Sequence, residues 1–208
     1  MSTGKFALSA KTFYNARMII CGLDIATKCG WAVGQPGTKA AFGAINLARE
    51  SDDEGAVFEA FERFLAELLM THCVTHLCCE ETYVPRPPIR FNSAAPAFKA
   101  PPMNPAVLYR LFGLRAIARL IARKRGIVYR EIPIGKLSRA FTGTARHGGR
   151  DAKKRATMEM AKLRGYDVRN SDEADAVSVW EYGCGLFAPA KMVNRSGSLP
   201  FGDQKASR

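Results

Sequence analysis

The stretch GLDIATKCGWAVG at residues 22–34 decides the fold. A β-type run ends in Asp24, a short connection follows, and a second β-type run begins at Gly30. An acid at the end of a strand stands where an open α/β sheet presents side chains to a ligand. We predict a meander of three short strands, at residues 19–24, 30–34 and 40–45.

The rest of the chain alternates helical and strand patterns. Apolar residues recur at helical spacing over about 54–70, and seven prolines exclude regular structure in a long loop at 84–105. The remaining predicted elements are strands at 75–79 and 127–132, and helices at 106–125, from Pro133 to Gly143, at about 151–164 and from Ser171, which we expect to be the N-cap. This order predicts an α/β fold, with a mixed sheet flanked by helices.

The chain is long enough for one domain, and its two ends differ from the middle in composition. We predict a globular domain at 18–189, preceded by a disordered basic arm at 1–17 and followed by a flexible basic tail at 190–208. No apolar run reaches the length needed to span a membrane.

Three further acids accompany Asp24. Glu80 directly follows the apolar run THLCC, and Asp172 and Asp175 lie in SDEADAVSVW, three residues apart on one predicted helical face. Strand alternation would point Glu81 away from Glu80's side. Carboxylates gathered together repel one another unless a cation neutralises them, and oxygen ligands without His or Cys suit Mg²⁺ or Mn²⁺. Helix capping would explain Asp172 but not Asp175.

The positive charge of the chain is concentrated in one region. Formal net charge is +12, and residues 110–155 alone hold fourteen lysines and arginines against two acids. Such a localised field is typical of a protein that binds the phosphate backbone of a nucleic acid. Metal-dependent nucleic-acid cleavage is therefore the leading interpretation.

Six cysteines include no CxxC pair, and no secretory leader precedes them. They indicate reduced thiols and a cytoplasmic protein, in the host cytoplasm if the chain is phage-encoded. A zinc site at His72, Cys73, His76 and Cys78 is an alternative, but the spacing matches no common zinc finger, and packing cysteines are favoured.

Four segments together resemble the RuvC family of Holliday-junction resolvases, which includes phage-type members, within the RNase H-like superfamily. They are GLDIATKCGWAV, CCEETY, FTGTARHGGRDAKKRA and DEADAVSVW, and the resemblance runs from about residue 19 to 187. It implies an RNase H-like fold with a mixed five-stranded sheet. It also implies a crossover junction endodeoxyribonuclease that resolves four-way DNA junctions by paired nicks. The implied metal ligands are Asp24, Glu80, Asp172 and Asp175, which would bind two Mg²⁺ ions, with Mn²⁺ as a substitute and Asp24 bridging both.

The same resemblance assigns the basic and aromatic residues. Lys136 or Arg139 would precede a TG-type turn, and Lys153 or Lys154 would open the following helix, with Lys154 as our candidate for a catalytic role. Tyr83 matches a position where family members carry an aromatic side chain that stacks on a base. The predicted DNA-binding residues are Tyr83, Arg115, Arg119, Arg123, Lys136, Arg139, Arg146, Arg150, Lys153 and Lys154.

A homodimer is expected because a four-way junction approaches two-fold symmetry and one chain supplies one nick. The resemblance places the predicted interface at the helix at 106–125 and the loop before it. The apolar residues of this helix also exceed what one sheet face buries: Leu108, Leu111, Phe112 and Ile117. Arg115, Arg119 and Arg123 recur every four residues along the same helix, and we expect them to form a separate, DNA-facing stripe.

Three other interpretations agree less well with the sequence. The segment GLDIATK also resembles YqgF-type RNase H-like proteins, which would act on RNA, but their ending differs from DEADAV. It is loosely similar to the first phosphate motif of sugar kinases and actin-like ATPases, whose two domains need a longer chain. A non-catalytic branched-DNA-binding protein would have no reason to keep four acids at metal-site positions.

Overall fold

The computed structural model describes residues 17–48, 52–82 and 104–196, with side chains given as far as residue 192. Several sequence predictions lie outside these residues: Tyr83, the proline-rich loop as far as residue 103, residues 1–16 of the arm and residues 197–208 of the tail.

One five-stranded mixed sheet organises the described residues. Its strands are β1 (Ile20–Asp24), β2 (Lys28–Gly34), β3 (Ala41–Asn46), β4 (His76–Glu80) and β5 (Val128–Ile132). The order across the sheet is β3-β2-β1-β4-β5. The first three strands form the predicted antiparallel meander, and β4 and β5 add in parallel beyond β1. The predicted α/β class and mixed five-stranded sheet are confirmed.

Six helices complete the described part of the chain: α1 (Glu54–Thr71), α2 (Pro105–Lys124), α3 (Ile134–Thr142), α4 (Arg150–Leu163), α5 (Ser171–Phe187) and α6 (Pro189–Ser196). The first five agree with the predicted helices. We did not predict α6, which covers residues 190–196 of the expected tail. Its sequence lacks a long apolar run, but Met192 packs against the core beside α5, and Pro189 is compatible with a first helical turn.

The sheet is covered on both faces. One core cluster joins α1 and α2 to the sheet through side chains such as Phe61, Leu65 and Leu114, and the other joins α3, α4 and α5 through side chains such as Phe141 and Trp180. Neighbouring residues of a strand point to opposite faces, so Cys78 lies in the α5-side core and Cys79 in the α2-side core. Glu80 follows Cys78 in this alternation and belongs to the α5 side.

Two glycines allow α5 to lie directly on the meander. A Cβ atom at Gly22 would stand 2.4 Å from the Trp180 backbone nitrogen, and one at Gly30 would stand 2.0 Å from the Asp172 carbonyl oxygen. No other residue type could occupy these positions without moving the helix. Gly22 and Gly30 therefore determine how closely α5 lies on the meander, and with it how closely the first turn of α5 approaches the end of β1.

The N-cap of α5 is Asn170 and not Ser171 as predicted. The Asn170 side-chain oxygen accepts a hydrogen bond of 3.0 Å from the backbone N–H of Glu173, and the extended backbone of Asn170 is the usual N-cap geometry. Asn and Ser are about equally good N-caps, so the sequence pattern could not separate the two neighbours.

All six cysteines have free thiols, and only Cys73 is exposed. The other five pack inside the protein, in agreement with the preference for packing over zinc binding. Among the described helices, none combines the length and apolar character that crossing a membrane requires.

Candidate active site

The sheet brings Asp24 and Glu80 side by side. Each is the last residue of its strand, β1 and β4 are parallel neighbours, and Leu23 is the partner of Cys79 in their register. Asp24 follows Leu23 and Glu80 follows Cys79, so the two acids stand next to each other at the ends of these strands. Both carboxylates therefore stand at the carboxyl edge of the sheet, where such sheets present ligand-binding side chains.

The first turn of α5 brings the other two acids to the same edge. Asp24 pairs with Gly30 across β1 and β2, and the Asp172 backbone lies directly over Gly30. Asp175 follows one turn later on the same helical face. The four acids that the sequence singled out come from three elements and meet at one place, which we call the acid cluster: Asp24, Glu80, Asp172 and Asp175.

The acid cluster has the electrostatics of like charges held close together. Burial raises the pKa of Asp24 well above its usual range, and the negative charges of Asp175, Glu80 and Asp172 raise it further. Burial and the charge of Glu80 raise the pKa of Asp175 to about 6. Each of these carboxyl groups is therefore costly to ionise while no cation is bound.

Lysine side chains offset part of this repulsion. Lys153 of α4 places its Nζ 3.3 Å from Glu80 Oε1, and the charges of Lys153 and Lys154 both lower the pKa of Asp175. The structure thus brings both lysines of the predicted pair to the cluster, and Lys153, not Lys154, makes the ion pair. Sequence reasoning missed Lys28, whose Nζ lies 3.1 Å from Asp172 Oδ2. Lys28 opens β2 four residues after Asp24, and this proximity in the chain was the available signal.

A polar cluster holds the loop that precedes α4. His147 Nε2 lies 2.9 Å from Ser138 Oγ of α3, and the Ser138 hydroxyl donates to the Thr144 carbonyl oxygen. The Thr142 hydroxyl, at the end of α3, lies 3.4 Å from the same His147 nitrogen. The segment HGG at 147–149 is thereby anchored to α3 just before the helix that carries Lys153.

The donor set of the acid cluster suits a hard divalent cation. It consists of carboxylate oxygens alone, and their mutual repulsion is the kind that a bound cation relieves. In the described ranges, no three His, Cys, Asp or Glu side chains are already arranged around one metal position. In this arrangement Lys153 and Lys28 approach the carboxylate oxygens that a cation would contact.

The exposed stripe that we predicted on α2 is not formed by all three of its residues, Arg115, Arg119 and Arg123. Arg115 is only 9% exposed, and its Nη1 lies 3.7 Å from Cys79 Sγ. Arg119 donates to Glu131 Oε1 at 3.0 Å and lies over the Tyr129 ring, while Arg123 is exposed. The stripe prediction is wrong for Arg115 because that position turns inward, toward the sheet.

All three arginines line one cavity of about 670 Å³ beside β5, which we call the α2 cavity. It also includes Glu81 and Thr82, the two residues that follow Glu80. The other predicted DNA-binding residues of this region are exposed on α3, on the loop after it and at the start of α4: Lys136, Arg139, Arg146 and Arg150.

Solved structures similar to this chain were found by fold. No family model matches the sequence, and no curated protein matches it. RuvC of Thermus thermophilus in complex with a Holliday junction substrate superposes with a TM-score of 0.58 at 12% identity, covering 81% of this chain and 94% of that chain. Another Thermus thermophilus RuvC structure gives a TM-score of 0.56 at 15% identity, covering 81% and 95%.

A more distant match is the yeast mitochondrial Holliday junction resolvase, with a TM-score of 0.49, 11% identity, and coverage of 85% and 84% of the two chains. The fold assignment rests on the two RuvC structures, because each match covers most of this chain and most of the RuvC chain, and the mixed five-stranded sheet is shared. The chain therefore has the RuvC-like RNase H fold.

Proposed function

We propose that this protein is a Mg²⁺-dependent endodeoxyribonuclease that resolves four-way DNA junctions by paired nicks. The observation that carries the proposal is the acid cluster, in which burial and the surrounding negative charges raise the pKa values of Asp24 and Asp175. Such clusters are more typical of functional sites than of structural ion pairs. A protein would gain stability by losing these acids unless they bind a cation.

Asp24, Glu80, Asp172 and Asp175 are the proposed ligands of two divalent ions. When bound, two such ions supply the means to activate a water molecule and to stabilise the leaving oxygen of a phosphodiester. Lys153 and Lys154 stand beside the carboxylates. Their proposed role is to bind phosphate oxygens next to the scissile bond, for which Lys153 would exchange its ion pair with Glu80 for the phosphate.

Branched DNA is the proposed substrate. The positive field of residues 110–155 supports a polyanion, and the RuvC structure of similar fold was solved with a Holliday junction. Exposed basic residues on α3 and α4, among them Arg139 and Arg150, flank the side of the sheet that carries the acid cluster.

The working form is proposed to be a symmetric dimer. Four large apolar side chains of α2 are exposed, namely Val107, Tyr109, Phe112 and Leu120. Of the interface residues expected from the sequence, Phe112 is exposed while Leu108, Leu111 and Ile117 are half-buried. Exposed apolar surface concentrated on one helix supports an interface there, because monomers seldom leave such patches in water.

A cleavage assay tests the proposed activity. A labelled four-way junction, a flap, a linear duplex and an RNA duplex are each incubated with protein and Mg²⁺, or with EDTA. We expect cleavage of the junction above the other substrates, none in EDTA, and none by Asp24→Asn. The matched control Asp167→Asn changes an exposed acid outside the cluster and should cleave normally. Junction cleavage by Asp24→Asn at the wild-type rate would refute the role of the cluster.

The dimer is tested separately by light scattering at micromolar protein, with and without junction DNA. Tyr109→Ser removes the most exposed of the four apolar side chains and should shift the protein toward the monomer. A wild-type protein that stays monomeric in both conditions while still making paired nicks would refute the dimer.

A further inference from the structure

The turn between β1 and β2, at residues 25–27, has a charged residue of the site at each end. Asp24, the last residue of β1, precedes it, and Lys28, the first residue of β2, follows it. The position of this turn therefore affects where the Asp24 carboxylate and the Lys28 ammonium group stand relative to the rest of the acid cluster. Whatever holds the turn in place also helps to position both charged groups.

Lys28 holds the turn from the α5 side of the sheet. Its Nζ lies 3.1 Å from Asp172 Oδ2, in the first turn of α5. Asp172 is also a proposed ligand of a divalent cation, so Lys28 and that cation would compete for the same carboxylate, because two positive charges so close together repel each other. An ion pair that competes with the proposed metal cannot by itself position the site for it.

Arg110 of α2 holds the same turn from the side of the sheet that α1 and α2 cover. Its Nη1 donates a hydrogen bond of 3.2 Å to Thr27 Oγ1. Its Nε lies 3.0 and 2.9 Å from the two carboxylate oxygens of Glu54, the first residue of α1, and its Nη2 also donates to Glu54 Oε1. One planar guanidinium group thus joins α1, α2 and the turn, as the fixed fork of an arginine allows.

The ion pair between Arg110 and Glu54 is too exposed to be explained by stability alone. The two side chains are 30% and 45% exposed, and ion pairs in contact with water contribute little to the free energy of folding. The hydrogen bond from Arg110 lowers the pKa of Glu54, so this carboxylate stays ionised and remains a partner of the arginine at neutral pH. What the pair does achieve is to fix the guanidinium where it meets Thr27.

We propose that Arg110 is a positioning residue for the acid cluster. It acts through Thr27 and holds the turn without using any carboxylate of the cluster, so the turn keeps its place whether or not Asp24 and Asp172 bind a divalent ion. This inference rests on the metal site of the proposed function, because it concerns how well the cluster binds such an ion. It also gives α2 a part in the site, although α2 supplies none of the four acids.

Thermal melting of the full chain, in EDTA and over a range of Mg²⁺ concentrations, tests the proposal without any need for cleavage. Because an ion that binds the folded protein raises its melting temperature, the titration gives an apparent Mg²⁺ affinity for each variant. Thr27→Val removes the hydroxyl that accepts from Arg110 and leaves α2 unchanged. It should weaken Mg²⁺ binding about tenfold, the lower end of the loss typical of residues that orient metal ligands. Its melting temperature in EDTA should fall by no more than about 2–4 °C.

Conservative variants separate positioning from a merely structural role. Thr27→Ser keeps the hydroxyl and should bind Mg²⁺ as wild type does. Arg110→Lys keeps the charge, but one ammonium group cannot span Glu54 and Thr27 as the guanidinium does, so it should weaken Mg²⁺ binding as Thr27→Val does. The double variant should lose no more than either single change, since both remove the same hydrogen bond. The matched control Arg125→Lys changes an exposed arginine at the other end of α2 and should behave as wild type.

Two results would overturn this inference and leave the proposed activity standing. One is an Mg²⁺ affinity of Thr27→Val or Arg110→Lys equal to that of wild type, with or without a lower melting temperature in EDTA. The other is a double variant whose loss is the sum of the two single losses, which would mean that the two side chains act independently. If wild type itself gains no stability from Mg²⁺, the metal site and this inference fail together. Mg²⁺ binding that depends on Arg110 in a protein that cuts no junction would refute the activity alone.

Discussion

The two faces of the sheet treat charge in opposite ways. On the α5 face, four carboxylates gather at the strand ends, and the pKa values of Asp24 and Asp175 rise because burial and the neighbouring negative charges disfavour their ionised forms. On the α2 face, Arg119 meets its own acid partner, Glu131. This contrast indicates the site of chemistry: the first arrangement costs stability and suits a bound cation, whereas the charges of Arg119 and Glu131 neutralise each other within the fold.

The faces also differ in how closely their helices approach the rest of the protein. The contact of α5 with the meander joins backbone to backbone at Gly22 and Gly30. The contact of α2 with α1 at Gly113 is made by the phenyl ring of Phe58. Backbone cannot yield as a side chain can, so the α5 contact tolerates less change.

The largest expected effect is on the rate constant for cleavage, and its size should differ between the α5 face and the α2 face. Asp175→Asn should lower the rate constant for junction cleavage by about a hundred- to a thousandfold, the cost typical of removing one electrostatic stabiliser from an active site. Glu131→Gln makes the same chemical change on the α2 face and should lose no more than about tenfold. Single-turnover kinetics on a labelled junction measures both. Similar losses in the two variants would remove the distinction between the faces.

The next largest effect is on stability. Gly30→Ala should lower the free energy of unfolding by about 2–3 kcal/mol, since its methyl group meets the Asp172 carbonyl and α5 must shift. Gly113→Ala should change it by less than about 1 kcal/mol, because the Phe58 ring can rotate away and alanine is the better helix former. Urea unfolding of both variants gives the comparison. A Gly30→Ala protein as stable as wild type would show that α5 is free to move.

A smaller stability effect should depend on pH. The pKa of Asp175 is raised from 3.8 to about 6 in the folded protein, so its contribution to stability is present below about pH 4 and is lost as the pH rises to about 6. In EDTA at pH 8, Asp175→Asn should therefore be more stable than wild type by roughly 1–3 kcal/mol. Mg²⁺ should stabilise wild type more than the variant.

Urea unfolding at pH 4, 6 and 8 measures this difference, with Asp167→Asn as the control that should follow wild type at every pH. If Asp175→Asn had a lower free energy of unfolding than wild type at pH 8, the ionised Asp175 side chain would make net favourable contacts in the folded protein.

The smallest effect concerns the salt dependence of DNA binding. Arg123 is exposed, so Arg123→Gln should reduce the slope of log K against log[salt] by about 0.9, the value for one phosphate contact. Arg119→Gln should change the slope less, because Arg119 already pairs with Glu131. Filter binding at several salt concentrations, from low to moderate, measures the slope for each variant. An unchanged slope in both variants would place this helix away from the DNA backbone.

Much of the fold could be predicted from sequence because its signals are local. Strand and helix periodicity located each strand and the first five helices to within one or two residues, and Asp24 and Glu80 were assigned to strand ends from the apolar runs before them. The helix α6 was not predicted because Met192 gains its apolar contact only through tertiary packing against the core. The N-cap of α5 was misplaced by one residue.

The four acids and the strand ends that carry Asp24 and Glu80 could be identified from the chain alone, because each depends on neighbouring residues. The cations that pair with the acids depend on the tertiary fold, since Lys28 and Lys153 reach the cluster from different elements. The tertiary fold also decided that Arg115 points inward to the α2 cavity. Spacing along a helix defines its faces, but which face meets the sheet depends on packing between elements far apart in sequence.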